Sequence, residues 1–282
     1  MHKIKLVTDS TCDLSQQLIK EHDIAVVPLY VIFPGEEYRD NVDLTTPKMY
    51  ELVREKGILP KTAAASPGDI QAVFERYLQE GYQILFTGIG NNFSATMKSA
   101  LAAKTAIGSE DIYLVDSQNL SSGSGLLLLK AVKFRAEGLS AAAIKERIEA
   151  LAPKVRSQFV IDTLEYLHKG GRLNAFAAAM GTMLKIKPII KVRDGVLGVG
   201  KKGRGTVRVG VDIMLQEAFA EKHEIDGDCL MITHSLAHAD AKYVRDQIRQ
   251  NLKIDNVYET DAGCVISSHC GRGTIGILYL LK

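Results

Sequence analysis

Short runs of β-branched and aliphatic residues alternate along the first half of the chain with stretches whose apolar positions recur at helical spacing. That rhythm predicts repeated βαβ units and a parallel sheet. Lys3 to Thr8 reads as the first strand, and Asp13 to Glu21 as a helix turning Leu14, Leu18 and Ile19 inward. Ile24 to Phe33 reads as a second strand, with Pro28 restricting it to an edge or a bulge because proline has no N–H to donate. Thr46-Pro47 opens a helix running to Gly57. Ser66-Pro67-Gly68-Asp69 opens another, with a hydroxyl cap, a proline in the first turn, and Ile70, Val73, Phe74, Tyr77 and Leu78 behind it before Gly81. Gln83 to Ile89 and Asp111 to Asp116 read as buried strands. A helix capped by Ser94 follows the first, one from about Ser121 follows the second, and a further helix spans Ser140 to Leu151.

Pro153, with Lys154 and Arg156 beside it, marks a change of pattern. Ser157 to Ile161 and Lys185 to Val192 read as strands, Asp194-Gly195 as a hairpin turn, and Val196 to Val199 as its returning strand, so this half contains antiparallel pairing. Beyond it come a strand at Cys229 to Thr233, a helix at Ala237 to Asn251, and strands near Val257, at Cys264 to Ser268 and at Ile275 to Leu280. The expected class is α/β: an N-terminal parallel-sheet three-layer α/β/α domain over residues 1–155 and a C-terminal mixed-sheet α/β domain over residues 156–282.

Composition narrows the function classes. With 46% hydrophobic and 24% charged residues in 282, neither disorder nor a fibrous rod is expected. A net charge of +2 gives no electrostatic case for gripping a polyanion, so no nucleic-acid partner is expected. No run approaches the roughly 18 apolar residues of a membrane span. Lys3 and Lys5 would interrupt the apolar core of a signal peptide, which makes a cytoplasmic location the expectation. Cys12, Cys229, Cys264 and Cys270 are too few and too irregularly spaced for a disulfide framework or a CxxC zinc pair, and are expected as reduced, buried thiols.

Several motifs carry chemistry in one reading and packing in another. Gly198-Val199-Gly200-Lys201-Lys202-Gly203 satisfies GxGxxG, yet it follows a hairpin strand instead of joining a parallel strand to a helix, so a basic surface loop is expected there. His234 and His238 stand four apart, but the glutamate of HExxH is missing and His234 ends a strand, so no metal is expected. The segment from Phe86 to Thr96 runs from a buried strand through a small polar loop to a helix start, where amides and the hydroxyls of Ser94 and Thr96 suit either an anion or simple capping. Thr8 to Thr11, Asp116-Ser117 and the loop Ser267 to Gly273 gather further polar groups near strand ends, with His269 the best titratable candidate. Gly170-Gly171-Arg172 reads as a sharp turn projecting a guanidinium, or as a helix stop. Ala175 to Leu184, with Phe176, Met180 and Met183, reads as a helix of small and soft side chains that lines an apolar cavity or packs a core.

In order along the chain these segments resemble the DegV family of bacterial fatty-acid-binding proteins. Val7-Thr8-Asp9-Ser10-Thr11-Cys12-Asp13-Leu14 resembles its first strand and DS turn. Thr62 through Ser66-Pro67 resembles TSQPSP, Ser94-Ala95-Thr96 resembles SGT, and Asp116-Ser117 with Ser121, Gly123 and Gly125 resembles its DS-to-glycine helix start. Thr163 through Arg172 is close to TLxYLxKGGR, and His269-Cys270-Gly271-Arg272-Gly273 stands where HTGPG is usual. The resemblance implies a two-domain α/β protein that holds one long-chain fatty acid between or beside its domains. It further implies a non-catalytic carrier without a cofactor, which presents the acyl carboxylate to a separate ATP-dependent fatty acid kinase whose acyl phosphate feeds phospholipid synthesis. Carried over position by position, Thr62, Ser94 and His269 match residues that hold the carboxylate, and Arg172 and Arg204 match exposed arginines near the mouth that would meet the kinase. The chain departs from the pattern at Ala63, Ala64, Ala65, Gly90-Asn91 and Ala95, and at Cys270 and Arg272, the last adding a charge near the expected carboxylate. An alternative of another class, an enzyme acting on a phosphorylated or nucleotide ligand, would use the amides before Ser94 and the basic 198–205 segment. It requires the glycines of 198–203 to open a helix over a parallel strand.

Overall fold

The computed structural model describes residues 3–171 and 186–282. Its first strand, β1 (Lys3–Asp9), pairs in parallel with β2 (Ala25–Val27) on one side and β6 (Tyr82–Gly88) on the other, and β7 (Ile112–Asp116) completes a parallel sheet of order β2-β1-β6-β7. Both faces are buried, and the two-residue period of a strand divides the side chains between them. Ile4, Leu6 and Leu85 join one apolar cluster, whereas Val7, Ile84 and Phe86 join another. Helices α2 (Thr46–Lys56), α3 (Pro67–Gln79) and α4 (Thr96–Ile107) contribute Met49, Ile70, Phe74 and Ala100 to the second cluster; α5 (Ser122–Ala136) and α6 (Ala141–Leu151) contribute to the first. The result is a three-layer α/β/α unit.

Its best-defined helix start is α3, where the Ser66 hydroxyl accepts from the Asp69 N–H at 3.1 Å and the Asp69 carboxylate accepts from the Ser66 N–H at 2.9 Å. A second, antiparallel sheet of order β4-β3-β5, formed by β3 (Tyr30–Phe33), β4 (Glu36–Arg39) and β5 (Lys61–Ala63), sits beside this unit. The Tyr30 hydroxyl ties it to α3 by donating to Asp69 at 3.0 Å.

The C-terminal half builds a six-stranded sheet of order β10-β9-β8-β13-β11-β12 from β8 (Val155–Val160), β9 (Ile186–Arg193), β10 (Val196–Arg204), β11 (Ile225–His234), β12 (Asn256–Asp261) and β13 (Ile275–Leu281). Every neighbouring pair is antiparallel except β11 with β12. After the short α7 (Glu165–Lys169), helices α8 (Val207–Ala220) and α9 (His238–Asn251) cover one face, burying Val211, Met214, Val244 and Ile248 against Leu230, Ile232 and Ile277. The other face lies on α5. Leu126, Leu127 and Leu128 there bring Ile4 and Leu6 of β1 into one cluster with Met231, Leu278 and Leu280. A helix apolar on every side is a helix with layers on both sides, and α5 is shared by the two large sheets. Its small first turn permits the approach: a Cβ at Gly125 would stand 2.7 Å from the Cys12 carbonyl oxygen and 2.9 Å from Leu14 Cδ2.

Several expectations need correction. Ile24 to Phe33 is two strands in different sheets, since Pro28 cannot continue the ladder of β2 and the chain turns away after Val27. The first helix, α1, covers only Gln16–Glu21, capped by the Ser15 hydroxyl, because Asp13 sits at φ 48 outside helical geometry. α4 begins at Thr96, and Ser94 makes a tight hydroxyl turn, accepting from the Thr96 N–H at 3.3 Å, without capping. Residues 198–203 are part of β10, paired to β9 with a bulge between Val199 and Lys202, so they form neither a loop nor a helix start over a parallel strand. Cys264 to Ser268 is no strand: Cys264–Cys270 is a helix, α10.

The start of α10 explains that last difference. The Gly263 N–H donates to Asp13 Oδ1 at 2.8 Å and the Cys264 N–H to Asp40 Oδ1 at 2.7 Å, so carboxylates more than two hundred residues away in sequence supply its first partners. Ser121 donates its hydroxyl to Asp13, and Ser10 donates to Asp40 at 2.9 Å. Burial pushes the Asp13 carboxyl well above its ordinary range, against the lowering effect of these bonds, and raises Asp40 to about 6.

Two outcomes follow for stability. Gly125→Ala should destabilise the chain by about 1–2 kcal/mol, because overpacking against the Cys12 carbonyl outweighs the gain in helix propensity. Urea unfolding reads the sign, and an unchanged or higher midpoint would mean that the close approach is unimportant. The folded Asp40 holds its proton to about pH 6 against an ordinary 3.8, so its contribution is fully present below about pH 3.8 and is lost as pH rises through about 6. Between about pH 4 and about pH 7 the parent chain should lose on the order of 2 kcal/mol relative to Asp40→Asn. Identical pH profiles for the two proteins would show that Asp40 is ionised throughout.

Candidate functional site

A cavity of about 300 Å³ lies where the two halves meet. Leu29, Ile89 and Phe93 come to it from the first half, and Phe159, Leu167, Leu197 and Leu278 from the second. Most of the remaining wall is apolar as well, and its exceptions are hydroxyls and imidazoles: Thr62, Ser94, Ser121, Thr233, Ser235, Thr274, His234 and His269. That mixture, an apolar wall interrupted by hydroxyls and imidazoles, suits a ligand that is largely hydrocarbon with one polar end.

The polar groups come from several elements. β5 carries Thr62 and α10 carries His269, and the two meet with Thr62 Oγ1 2.8 Å from His269 Nε2. Ser94 lies between β6 and α4 with its hydroxyl 2.9 Å from that of Thr96. Asp116 fixes the loop before it, accepting from the Asn91 N–H at 3.2 Å and from Asn91 Nδ2 at 2.9 Å. Ser235 bonds both Tyr50 Oη at 2.7 Å and Ser267 Oγ at 2.8 Å, which ties α2, β11 and α10 together behind the wall. Ser121 holds φ 53, a strained value for a residue with a side chain, and its bond to Asp13 helps keep it there.

The thiols and hydroxyls around the cavity are held neutral. Cys12, Cys229, Cys264 and Cys270 are all free and buried. Cys270, in the wall itself, has its thiol pushed up to about 12 by burial, so it stays protonated and inert. Burial also raises the Tyr50 phenol, leaving a neutral hydroxyl. Ser94 pairs with another hydroxyl, not with a base. The hydroxyl of Thr62, by contrast, lies 2.8 Å from the imidazole of His269.

Of the residues singled out from sequence, Thr62, Ser94 and His269 are brought to this one cavity. Arg204 is exposed at the end of β10 and outside the wall. Arg172, Phe176, Met180 and Met183 lie outside the described residues. Arg272 is exposed and outside the wall too, while Cys270, Ala63, Ala64 and Ala95 all line it. The sequence marked Ser121 only as a helix start and Phe93 only as part of a loop, assigned no role to Ser235, and marked Gly170 only as a turn. A Cβ at Gly170 would stand 2.3 Å from His269 Nδ1 and 2.9 Å from the Tyr166 carbonyl oxygen, so the absent side chain leaves room for the imidazole. The double glycine was the available signal, but it pointed to a turn and not to a neighbour ninety-nine positions away.

Comparison with known proteins agrees with the motif order. A family model described as an uncharacterised protein of the DegV family matches residues 3–282. A DegV domain-containing protein of Clostridium acetobutylicum is 36% identical over 287 residues, covering 100% of both chains. Among solved structures, a DegV family protein from Thermus thermophilus described by its fatty acid binding superposes with a TM-score of 0.93 at 30% identity over 100% of both chains. A stearic-acid-binding protein from Eubacterium ventriosum gives 0.87 at 28% identity, covering 100% of this chain and 99% of that one. With the family model spanning nearly its whole length and its two-domain α/β architecture shared with these structures, the chain belongs to the DegV family.

Proposed function

We propose that this chain binds one long-chain fatty acid in the cavity between its halves, with the carboxylate held by Thr62, Ser94 and His269. The carrying observation is the apolar cavity of about 300 Å³ with Thr62 and His269 hydrogen-bonded in its wall. About fourteen methylenes leaving water at roughly 0.8 kcal/mol each supply on the order of 10 kcal/mol before the entropy of association is charged. The carboxylate has the opposite requirement: a buried charge is tolerated only with donors around it, and two hydroxyls with an imidazole provide them. The shared architecture with proteins described as binding fatty acids supports the same reading.

The protein in this proposal is a cytoplasmic carrier, not an enzyme. It presents the acyl carboxylate to a separate ATP-dependent fatty acid kinase, whose acyl phosphate enters phospholipid synthesis. Two observations favour a carrier: the Cys270 thiol in the wall is protonated, and the Ser94 hydroxyl bonds the hydroxyl of Thr96. Among the described residues no helix is long and apolar enough to cross a membrane, consistent with delivery from solution. Arg204, exposed on β10, is assigned to the partner-facing surface. We place the division between the domains near residue 155, where β8 begins.

Native mass spectrometry of the purified protein, followed by denaturing extraction, should release one fatty acid per chain. A nucleotide in the extract, or a chain that stays empty when offered fatty acids of many lengths, would overturn the proposal. Ser94→Ala should weaken retention about tenfold, as expected for one lost hydrogen bond to a charged group, with an unchanged thermal midpoint of the lipid-free protein. Full retention would remove Ser94 from the head-group site. Gly170→Ala should act on the same equilibrium through His269, again by about tenfold, since its methyl occupies the space beside Nδ1; equal affinity would show that the ring is free to move aside.

A further inference from the structure

We propose that His234, His238 and Glu259 form a binding site for a divalent transition-metal ion of the zinc type. His234 ends β11, His238 begins α9, and Glu259 lies on β12, so three elements converge on one point at the edge of the six-stranded sheet. One ligand atom from each residue lies within 4.8 Å of the others. His234 Nε2 is 3.5 Å from Glu259 Oε1, and the two imidazole centroids are 4.6 Å apart with their planes at 78°. A tetrahedral ion with bonds of about 2.0–2.1 Å separates its ligands by roughly 3.3–3.4 Å, so the first pair already has the required spacing. The exposed His238 completes the set by side-chain rotation.

The surroundings hold these ligands as a metal site requires. Arg245 Nη1 binds Glu259 Oε2 at 2.7 Å, which leaves Oε1 turned toward His234. His234 is only 2% exposed, and its Nδ1 has no hydrogen-bond partner of adequate geometry among the described residues, although Asp261 Oδ1 stands 3.3 Å away. A buried ring nitrogen without a bond is costly. An ion on Nε2 would fix the proton on Nδ1 and turn it toward Asp261, the carboxylate–histidine–metal arrangement that orients ligands in known sites. Two nitrogens and a carboxylate oxygen suit zinc, and three protein ligands leave a fourth position open to solvent beside His238. The i, i+4 spacing of the histidines did not reveal this, because they share no helix. The third ligand comes from a neighbouring strand, whose register pairs His234 with Asp261 and Ile232 with Glu259.

The test is calorimetric titration of chelator-stripped full-length protein with zinc sulfate, repeated with cobalt and read by visible absorption. One zinc per chain is expected, with His238→Ala weakening it at least tenfold and Asp261→Asn about tenfold. His238 is exposed, so its variant should keep the metal-free melting profile and separate loss of a ligand from loss of the fold. An absence of saturable zinc binding, or binding that His238→Ala and Glu259→Gln both leave unchanged, would overturn the proposal.

Discussion

Two buried carboxylates hold the rest of the structure in register. Asp13 and Asp40 belong to the N-terminal half, yet the backbone N–H groups they accept open α10 in the C-terminal half, and α10 carries His269 at its far end. Their partners are hydroxyls and backbone N–H groups, which hold a carboxylate in place without neutralising it. Burial at these positions is therefore a strained solution that persists because displacing either group would also release α10. The imidazole in the cavity wall inherits its place from residues that lie outside that wall.

Around that staple the apolar layers follow simple rules. α5 is buried between the two large sheets, and the sheets share it because its first turn is Ser122, Gly123, Ser124 and Gly125, which let backbones come close. Where the halves diverge beyond α5 they leave space, and the wall of that space is what each sheet and helix presents at its edge: Leu29 and Phe93 from one side, Phe159 and Leu197 from the other. Ala63 and Ala64, which stand where the resembled motif has serine and glutamine, fall on that wall and increase its apolar share.

What the sequence revealed and what it concealed divide along the same line. β1, β6 and β7 were legible from short β-branched and aliphatic runs such as Leu6-Val7, Ile84-Leu85-Phe86 and Leu114-Val115, and α3 because Ser66 and Asp69 write its cap locally. α10 was not, since Cys264-Val265-Ile266 has strand-like composition and its N-terminal partners lie in another part of the chain. The small sheet containing β5 was hidden for a similar reason: three residues carry no period, and only pairing with β3 makes them a strand. Thr62, Ser94 and His269 were found through the order of motifs; their convergence on one cavity, and Gly170 beside His269, are facts of tertiary packing that no spacing encodes.

The four buried thiols give the molecule an internal clock. Burial holds Cys229, Cys264 and Cys270 at about 12 and pushes Cys12 higher still, so none is reactive in the closed protein near neutral pH. Each can be alkylated only when its surroundings open. Cys270 faces the cavity, Cys264 sits at the Asp40 staple, and Cys12 and Cys229 lie in the cluster around α5. The sequence in which they are labelled would therefore distinguish a breathing motion that admits a ligand from separation of the two halves and from global unfolding.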